Sequence, residues 1–108
     1  MGKRKPVTDP VLLSRIRTMA DDHVSVKVSR RALDSMQRIG VTVKGVCAAL
    51  CDYLDAGGAI DETFTDTTPG HIGEIMYEMF PDICLYPRYV KVRIVNVSDS
   101  LYIISVHD

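Results

Sequence analysis

The sequence predicts an α+β fold, in which N-terminal helices pack on one face of a small antiparallel sheet. Two observations favour this class. Apolar residues recur at helical spacing through the first half of the chain, whereas the last twenty residues alternate between apolar and polar side chains as a β-hairpin does. With 108 residues, the chain is long enough for one domain with a modest core but not for two.

Three helices are predicted in the first half, and each follows a side chain that can cap its first turn. These capping residues are Asp9, Ser29 and Thr42. The first helix covers about residues 10–21 and has a proline in its first turn. The second ends at Gly40 and the third at Gly57-Gly58, because glycine accepts the left-handed conformation that closes a helix.

The other segments before the hairpin are less regular. Residues 24–28 alternate and predict a short strand, and residues 60–66 contain side chains that favour an extended backbone. Residues 71–80 fit a helix by their spacing, but their length also permits an irregular strand, so both alternatives stay open. Residues 1–8 are expected to form a flexible basic arm of the single domain 1–108.

The final hairpin, Tyr89 to Asp108, carries the most informative pattern. A three-residue turn at 98–100 would pair Lys91 with His107 and Arg93 with Ser105. A two-residue turn would place both cations among aliphatic side chains, so the three-residue register is preferred. One face then holds apolar side chains for the core: Val90, Val92, Ile94, Tyr102, Ile104 and Val106. The other holds a basic strip that suits phosphate: Tyr89, Lys91, Arg93, Ser105 and His107.

Charge is unevenly distributed along the sequence, although the net charge is only −1. Residues 1–44 hold ten Lys and Arg against four Asp and Glu, a net of +6, and residues 45–87 hold eight acids and no base, a net of −8. This pattern predicts either a molecule with one cationic and one anionic side or charges that mix in three dimensions. A generally basic nucleic-acid binder is not indicated.

Cysteine content and hydropathy favour the cytoplasm. Three cysteines are an odd number, which argues against a disulfide framework. No apolar run approaches the roughly 20 residues of a membrane helix, and nothing resembles a signal peptide. We therefore expect no membrane association.

A metal site is the weaker of two interpretations for the cysteines. Cys47 and Cys51 lie four residues apart on the third helix, and Cys84 with His71 would complete four zinc ligands. Free cysteines on an apolar helix face usually act as small core residues, so we expect no metal and no cofactor. The G-x-S-x-G, Walker A, G-x-G-x-x-G and H-E-x-x-H patterns do not occur in the sequence, so any chemistry must come from dispersed residues.

Six local strings and the order of the elements resemble a known family. The strings are Lys3-Arg4-Lys5-Pro6, Ala32-Leu33, Gly40-Val41-Thr42-Val43-Lys44-Gly45-Val46-Cys47, the Thr65-to-Tyr77 region, Tyr89-Val90-Lys91-Val92 and Ser105-Val106-His107. They are distributed from Lys3 to His107, so the likeness extends over nearly the whole chain, and they resemble the MqsR (motility quorum-sensing regulator) family of bacterial toxins. This resemblance implies a RelE-like, barnase-related fold, cleavage of messenger RNA, and a cognate antitoxin protein as partner. It leaves open whether the chain forms a homodimer.

The resemblance also implies positions for an active site. The active-site tyrosine of the family matches Tyr89, and its C-terminal catalytic lysine falls on His107. The lysine of a tyrosine-lysine-serine-methionine string falls near Glu62, and a glutamine falls on Glu74. Only the tyrosine is retained as a residue type.

Read chemically, these positions suggest metal-independent cleavage of single-stranded RNA by attack of the 2′-hydroxyl. Glu62 would take the proton from the 2′-hydroxyl, and His107 would give one to the leaving oxygen. Tyr89 would stack on a base or donate to the phosphate. The phosphate would be bound by cations of the hairpin: Arg88, Lys91 and Arg93.

Two other interpretations remain at this point. Loss of both family lysines, a pI near 6.3 and the acidic middle segment favour a catalytically inactive protein-binding or regulatory module. A regulatory subunit that binds DNA through its basic N-terminal region has less support. By default, the hairpin cations are simply exposed charges and His107 a solvated residue near the end of the sequence.

Overall fold

The computed structural model describes residues 4–65 and 74–108 and has an α+β architecture. Its three helices are α1 (Pro10–Asp21), α2 (Arg30–Ile39) and α3 (Val43–Asp55). Each has the predicted capping side chain, which accepts a hydrogen bond from a backbone N–H of the first turn. In the described part of the chain, no helix is long and apolar enough to cross a membrane.

A six-stranded sheet forms the second layer, with strand order β1-β3-β4-β7-β8-β2. These strands are β1 (Lys5–Pro6), β2 (Lys27–Val28), β3 (Asp61–Thr65), β4 (Glu74–Met79), β7 (Tyr89–Val95) and β8 (Ser100–His107). A separate small hairpin consists of β5 (Asp82–Ile83) and β6 (Tyr86–Pro87). Neighbouring strands of the large sheet are antiparallel except for β2 and β8, which are parallel.

The core lies between the three helices and one face of the sheet. Its central side chains are almost fully excluded from solvent: Ile16, Met36, Leu50, Val92 and Ile103. Each such side chain contributes about 1.5–3 kcal/mol through burial. Because the helices cover this face, the other face of the sheet is left to carry polar side chains.

Residues 74–79 form a strand, which settles the choice between helix and strand for this part of the 71–80 segment. β4 pairs with β3 on one side and β7 on the other, so backbone hydrogen bonds across the sheet outweigh the helical spacing of its apolar residues. Residues 71–73 lie outside the described part of the chain.

Two predictions for the N-terminal half are corrected. The segment 24–28 contains a 3₁₀ turn at His23–Ser25 and only a two-residue strand, β2. The end of the basic arm is not loose, since Lys5 and Pro6 pair with β3 and the Val7 N–H donates to the Ile60 carbonyl at 2.8 Å.

The predicted hairpin register is wrong. The turn has four residues, 96–99, and Tyr89 lies opposite His107 while Lys91 lies opposite Ser105. Arg93 lies opposite Tyr102 instead of Ser105. The α1 residue Arg15 donates hydrogen bonds to the side chains of Asn96 and Asp99, and these bonds favour the longer turn.

A β-bulge explains why the simple alternation fails. Leu101 and Ile103 face the core, but so does Val106, which is an odd number of residues further along the strand. The pairing shifts between Lys91 and Val92, so the extra residue on β8 restores the apolar contact of Val106 with Val90. Tyr102 and Ile104 therefore do not form the core face, contrary to the sequence-based expectation.

Candidate functional site

The candidate site lies on the face of the sheet that the helices leave uncovered. Residues directly opposite each other on neighbouring antiparallel strands share a face. Glu78 lies opposite Lys91, Lys91 opposite Ser105, and Tyr89 opposite His107. An open groove of about 550 Å³ at this end of the sheet, here called the His107 groove, is lined by Arg4, Arg31, Phe80, Pro87, Tyr89, Lys91, Ser105, His107 and Asp108.

Three rings form a row along the groove. Tyr89 stacks on His107 with ring centroids 4.6 Å apart and an interplanar angle of 23°. Phe80 meets Tyr89 edge to face, with centroids 5.7 Å apart, and is 48% exposed. An exposed aromatic edge beside a stacked pair is a surface on which a planar ligand ring can pack.

Glu78 joins the row of rings to the N-terminal strand. The Tyr89 hydroxyl donates a hydrogen bond to Oε2 of Glu78, and Nε of Arg4 donates to Oε1 at 2.7 Å. The Glu78 side chain is only 5% exposed, whereas that of Arg4 is 65% exposed. A buried carboxylate with two strong donors is stable as an ion, so Glu78 holds Tyr89 and Arg4 in fixed positions.

The pKa values of this network follow from burial and charge. Burial alone would raise the pKa of Glu78, but the hydrogen bonds from Arg4 and Tyr89 and the charges of Arg4 and Lys91 together lower it below its ordinary value. Burial and the neighbouring Glu78 raise the pKa of Tyr89 well above its ordinary value. Tyr89 is therefore a protonated hydrogen-bond donor and Glu78 is ionised at neutral pH.

His107 is oriented by its ring stacking and by one polar contact. Its Nδ1 lies 2.9 Å from the backbone oxygen of Asp108. Since a carbonyl oxygen only accepts hydrogen bonds, Nδ1 carries a proton in this contact and Nε2 is left for a ligand. Lys91 and Arg31 line the same groove, so a ligand at His107 would meet positive charge.

The structure does not bring Glu62 to this site. Glu62 lies opposite Tyr77, and Tyr77 lies opposite Val92, so Glu62 is on the helix-covered face. Burial and then the charge of Glu62 raise the pKa of Tyr77, which agrees with this placement. The carboxylate that accompanies Tyr89 is Glu78 instead.

Glu74 and Arg93 also lie apart from His107. Glu74 is four residues before Glu78 on β4, which corresponds to about 13 Å along a strand. Its Oε2 is 3.4 Å from Nε of Arg93, whose guanidinium also lies 5.3 Å from the ring centroid of Tyr102. These three residues form a second cluster at the far end of the same sheet face, here called the Arg93 cluster.

Arg88 does not line the His107 groove. Its guanidinium donates hydrogen bonds to the Ile83 carbonyl at 2.9 Å and to the side chain of Asp108. Its side chain is only 13% exposed. Arg88 therefore fixes the small β5–β6 hairpin against the end of β8, a structural role different from the phosphate contact suggested by the sequence.

The cysteines lie in two environments. Cys47 and Cys51 are buried on α3, and burial, followed by the charge of Cys51, raises the pKa of Cys47 to about 11. Cys84 is exposed, and His71 lies outside the described residues. Within residues 4–65 and 74–108, no group of three or more His, Cys, Asp or Glu side chains could hold a metal ion.

Basic and acidic segments of the sequence meet in ion pairs. Arg4 pairs with Glu78, and Arg17 pairs with Asp55 at 3.0 Å. Both pairs join the basic first part of the sequence to its acidic middle. This supports the mixing of charges in three dimensions over a division into two sides.

Four residues of the observed site have no place in the sequence-based site: Glu78, which accepts the Tyr89 hydroxyl, and the groove-lining residues Arg4, Arg31 and Phe80. Glu78 had a signal, because a strand over residues 74–79 puts it on one face with Glu74. The helical alternative for this segment hides that pattern. The other three come from separate elements, and only the tertiary fold brings them together.

No family model matches the chain, and neither does any curated protein.

Proposed function

We propose that the His107 groove binds single-stranded RNA and that the protein is a metal-independent endoribonuclease, the toxin of a type II toxin-antitoxin system. The observation that carries the proposal is the stack of Tyr89 on His107 beside Lys91 and Arg31. The sequence resemblance to MqsR toxins supports it independently. A cognate antitoxin protein is part of the same proposal.

The groove has the two features with which proteins bind single-stranded RNA. Its cations attract the phosphate backbone, and its aromatic rings accept unstacked bases. Phe80 presents an exposed ring, and Lys91 lies one strand away from Glu78 on the same face. A base on Phe80 and its phosphate near Lys91 would bring the adjacent ribose to His107.

Cleavage proceeds by attack of the ribose 2′-oxygen on phosphorus. The bond from phosphorus to the 2′-oxygen forms and the bond to the 5′-oxygen breaks, giving a 2′,3′-cyclic phosphate and a free 5′-hydroxyl. Protonated His107 gives its Nε2 proton to the leaving 5′-oxygen. The 2′-hydroxyl proton passes to the Tyr89 oxygen as Tyr89 gives its own proton to Glu78, so Glu78 takes the role first assigned to Glu62.

A second candidate function is favoured by one observation. Glu78 is held by Arg4 and Tyr89, and its lowered pKa makes it a weak base. The same groove in an inactive protein would bind RNA or a partner without cleaving. Cleavage activity separates the two candidates.

The deciding experiment compares purified wild type with His107→Ala on a labelled single-stranded RNA in the presence of EDTA. The endoribonuclease predicts 2′,3′-cyclic phosphate ends for wild type and intact RNA for the variant. Expression of wild type, but not of the variant, should arrest bacterial growth. Intact RNA with the wild type, or equal cleavage by both proteins, would refute the enzymatic proposal.

A further inference from the structure

The arginines of this protein fall into two groups. Five form ion pairs with carboxylates: Arg4 with Glu78, Arg15 with Asp99, Arg17 with Asp55 and Asp21, Arg88 with Asp108, and Arg93 with Glu74. The other three form no ion pair with any described residue, and all three lie on α2: Arg30, Arg31 and Arg38. α2 thus concentrates the guanidinium groups that remain available for an anion.

Two of these arginines lie along a continuous path past His107. Arg31 lines the His107 groove. Arg38 lines a second groove of about 320 Å³, which shares His107 and Asp108 with the first. Positions seven residues apart lie on nearly the same helix face, about 10.5 Å apart along the axis. His107 therefore lies where the two grooves meet, with one exposed arginine of α2 in each.

We infer that Arg31 and Arg38, the α2 arginine pair, bind the RNA phosphates on either side of the phosphodiester at His107. This inference rests on the proposed function and extends it from one nucleotide step to a strand several nucleotides long. A guanidinium offers paired N–H donors that match phosphate oxygens. The occupant is an RNA backbone because the second groove continues the first without leaving His107.

Two carboxylates lie near this path, and their negative charges repel a bound phosphate. Asp34 lies on α2 between the two arginines, and Asp108 lies at the junction, where it is paired with Arg88. Neither forms an ion pair with Arg31 or Arg38. The exposed Asp34 charge should weaken phosphate binding, so its removal should strengthen it.

The test measures binding of two non-cleavable probes, a ten-nucleotide 2′-O-methyl oligouridine and the corresponding dinucleotide. Arg38→Ala should weaken the decamer about 1.4-fold to fivefold and leave the dinucleotide unchanged, because a single exposed charge contact is worth about 0.2–1 kcal/mol. For the decamer, Arg38→Ala should also make the negative slope of log K against log salt shallower by about 0.7. Asp34→Asn should tighten decamer binding.

Arg30→Ala is the matched control, since Arg30 is an exposed arginine of α2 that lines neither groove and forms no ion pair with the described residues. Equal losses for Arg30→Ala and Arg38→Ala would show general charge attraction and overturn the path.

Lys91→Ala should weaken the binding of both probes. If it does so while Arg38→Ala affects neither, the α2 inference fails and the RNA groove stands. If neither probe binds, both proposals fail. If a polyglutamate peptide binds as tightly as the decamer, and Arg38→Ala weakens the binding of both equally, the α2 arginine pair binds an acidic protein instead of RNA.

Discussion

The two ends of the uncovered sheet face contain the same kinds of side chain in different arrangements. At one end, Glu74, Arg93 and Tyr102 form the Arg93 cluster. At the other, a β4 glutamate, an arginine and a tyrosine also meet, but Arg4 reaches Glu78 from the position just before β1.

The difference lies in which cations remain for a ligand. In the Arg93 cluster, the β7 cation Arg93 is paired with Glu74. In the His107 groove, Arg4 satisfies Glu78, so Lys91, on the same strand as Arg93, forms no ion pair with a described residue. A surface becomes a candidate site when a residue of another segment pairs with its carboxylate, because its own cations then remain available for a ligand.

The largest expected difference between the two ends is in cleavage. His107→Ala should lower the single-turnover rate about 10²–10⁴-fold, the usual contribution of a general acid or base. Glu74→Gln, in the Arg93 cluster, should change it less than about threefold. Both rates are measured on the same labelled single-stranded RNA.

Binding provides the control for this pair of variants. His107→Ala should bind a non-cleavable oligonucleotide within a few-fold of wild type, which would assign the lost rate to chemistry. A large rate loss in Glu74→Gln would instead place the chemistry at the Arg93 cluster.

The two tyrosines should differ in RNA affinity. The Tyr89 ring supports both His107 and Phe80, on which the base stacks. Stacking of a base on an aromatic side chain is worth about 1–3 kcal/mol, so loss of this support in Tyr89→Ala should weaken binding by up to about 150-fold. Tyr102→Ala should have little effect, because its ring already faces Arg93. Tyr89→Phe keeps the ring and should retain most of the affinity. Fluorescence anisotropy measures all three, and equal losses for the two alanine variants would remove the distinction.

The two glutamates should differ in their contribution to stability. Glu78→Gln weakens two hydrogen bonds to a buried charge and should lower the free energy of unfolding by about 1–3 kcal/mol. Glu74→Gln changes a more exposed carboxylate and should cost about 1 kcal/mol or less. Urea denaturation measures both, and a more destabilising Glu74→Gln would reverse the assignment.

The pH dependence of stability has a definite sign for Glu78. Its folded-state pKa is below the ordinary 4.5, so the unfolded state binds the proton more tightly. The stabilisation is therefore complete above about pH 4.5 and is lost as pH falls through the lower folded-state value. Glu78→Gln should lack this contribution to the free energy of unfolding. If the free energies of unfolding of wild type and variant change in parallel between pH 3 and pH 7, the role of Glu78 is contradicted.

The smallest expected effect concerns the two strand cations. Lys91→Ala should reduce the magnitude of the salt dependence of oligonucleotide binding by about 0.7 in slope, the value for one phosphate contact on a single strand. Arg93→Ala should leave the slope unchanged, because Arg93 is already paired with Glu74. Titrations at four salt concentrations separate the two outcomes.

Local chemistry in the sequence was enough to predict the helices. Capping residues and terminal glycines act within a few positions of a helix end, and the starts of α1, α2 and α3 and the ends of α2 and α3 follow from them. Alternation likewise placed Val90 and Val92 in the core. These features depend on near neighbours alone.

The hairpin register and the composition of the site could not be predicted in this way. The register depends on Arg15 of α1, which is distant in sequence from the turn it binds, and on a bulge that local alternation does not reveal. The Glu78 network depends on Arg4, 74 residues away. Tyr89, Lys91 and His107 were found because they belong to one hairpin, whereas Glu62 was placed by resemblance and lies on the other face.

The most direct test of the central claim is to locate RNA on the protein by NMR. Addition of a non-cleavable single-stranded oligonucleotide to ¹⁵N-labelled protein should shift the amide signals of Tyr89, Lys91 and His107 most, and those of Arg93 and Tyr102 least. Largest shifts at Arg93 and Tyr102, or none on β7 and β8, would contradict the assignment of the His107 groove as the RNA site.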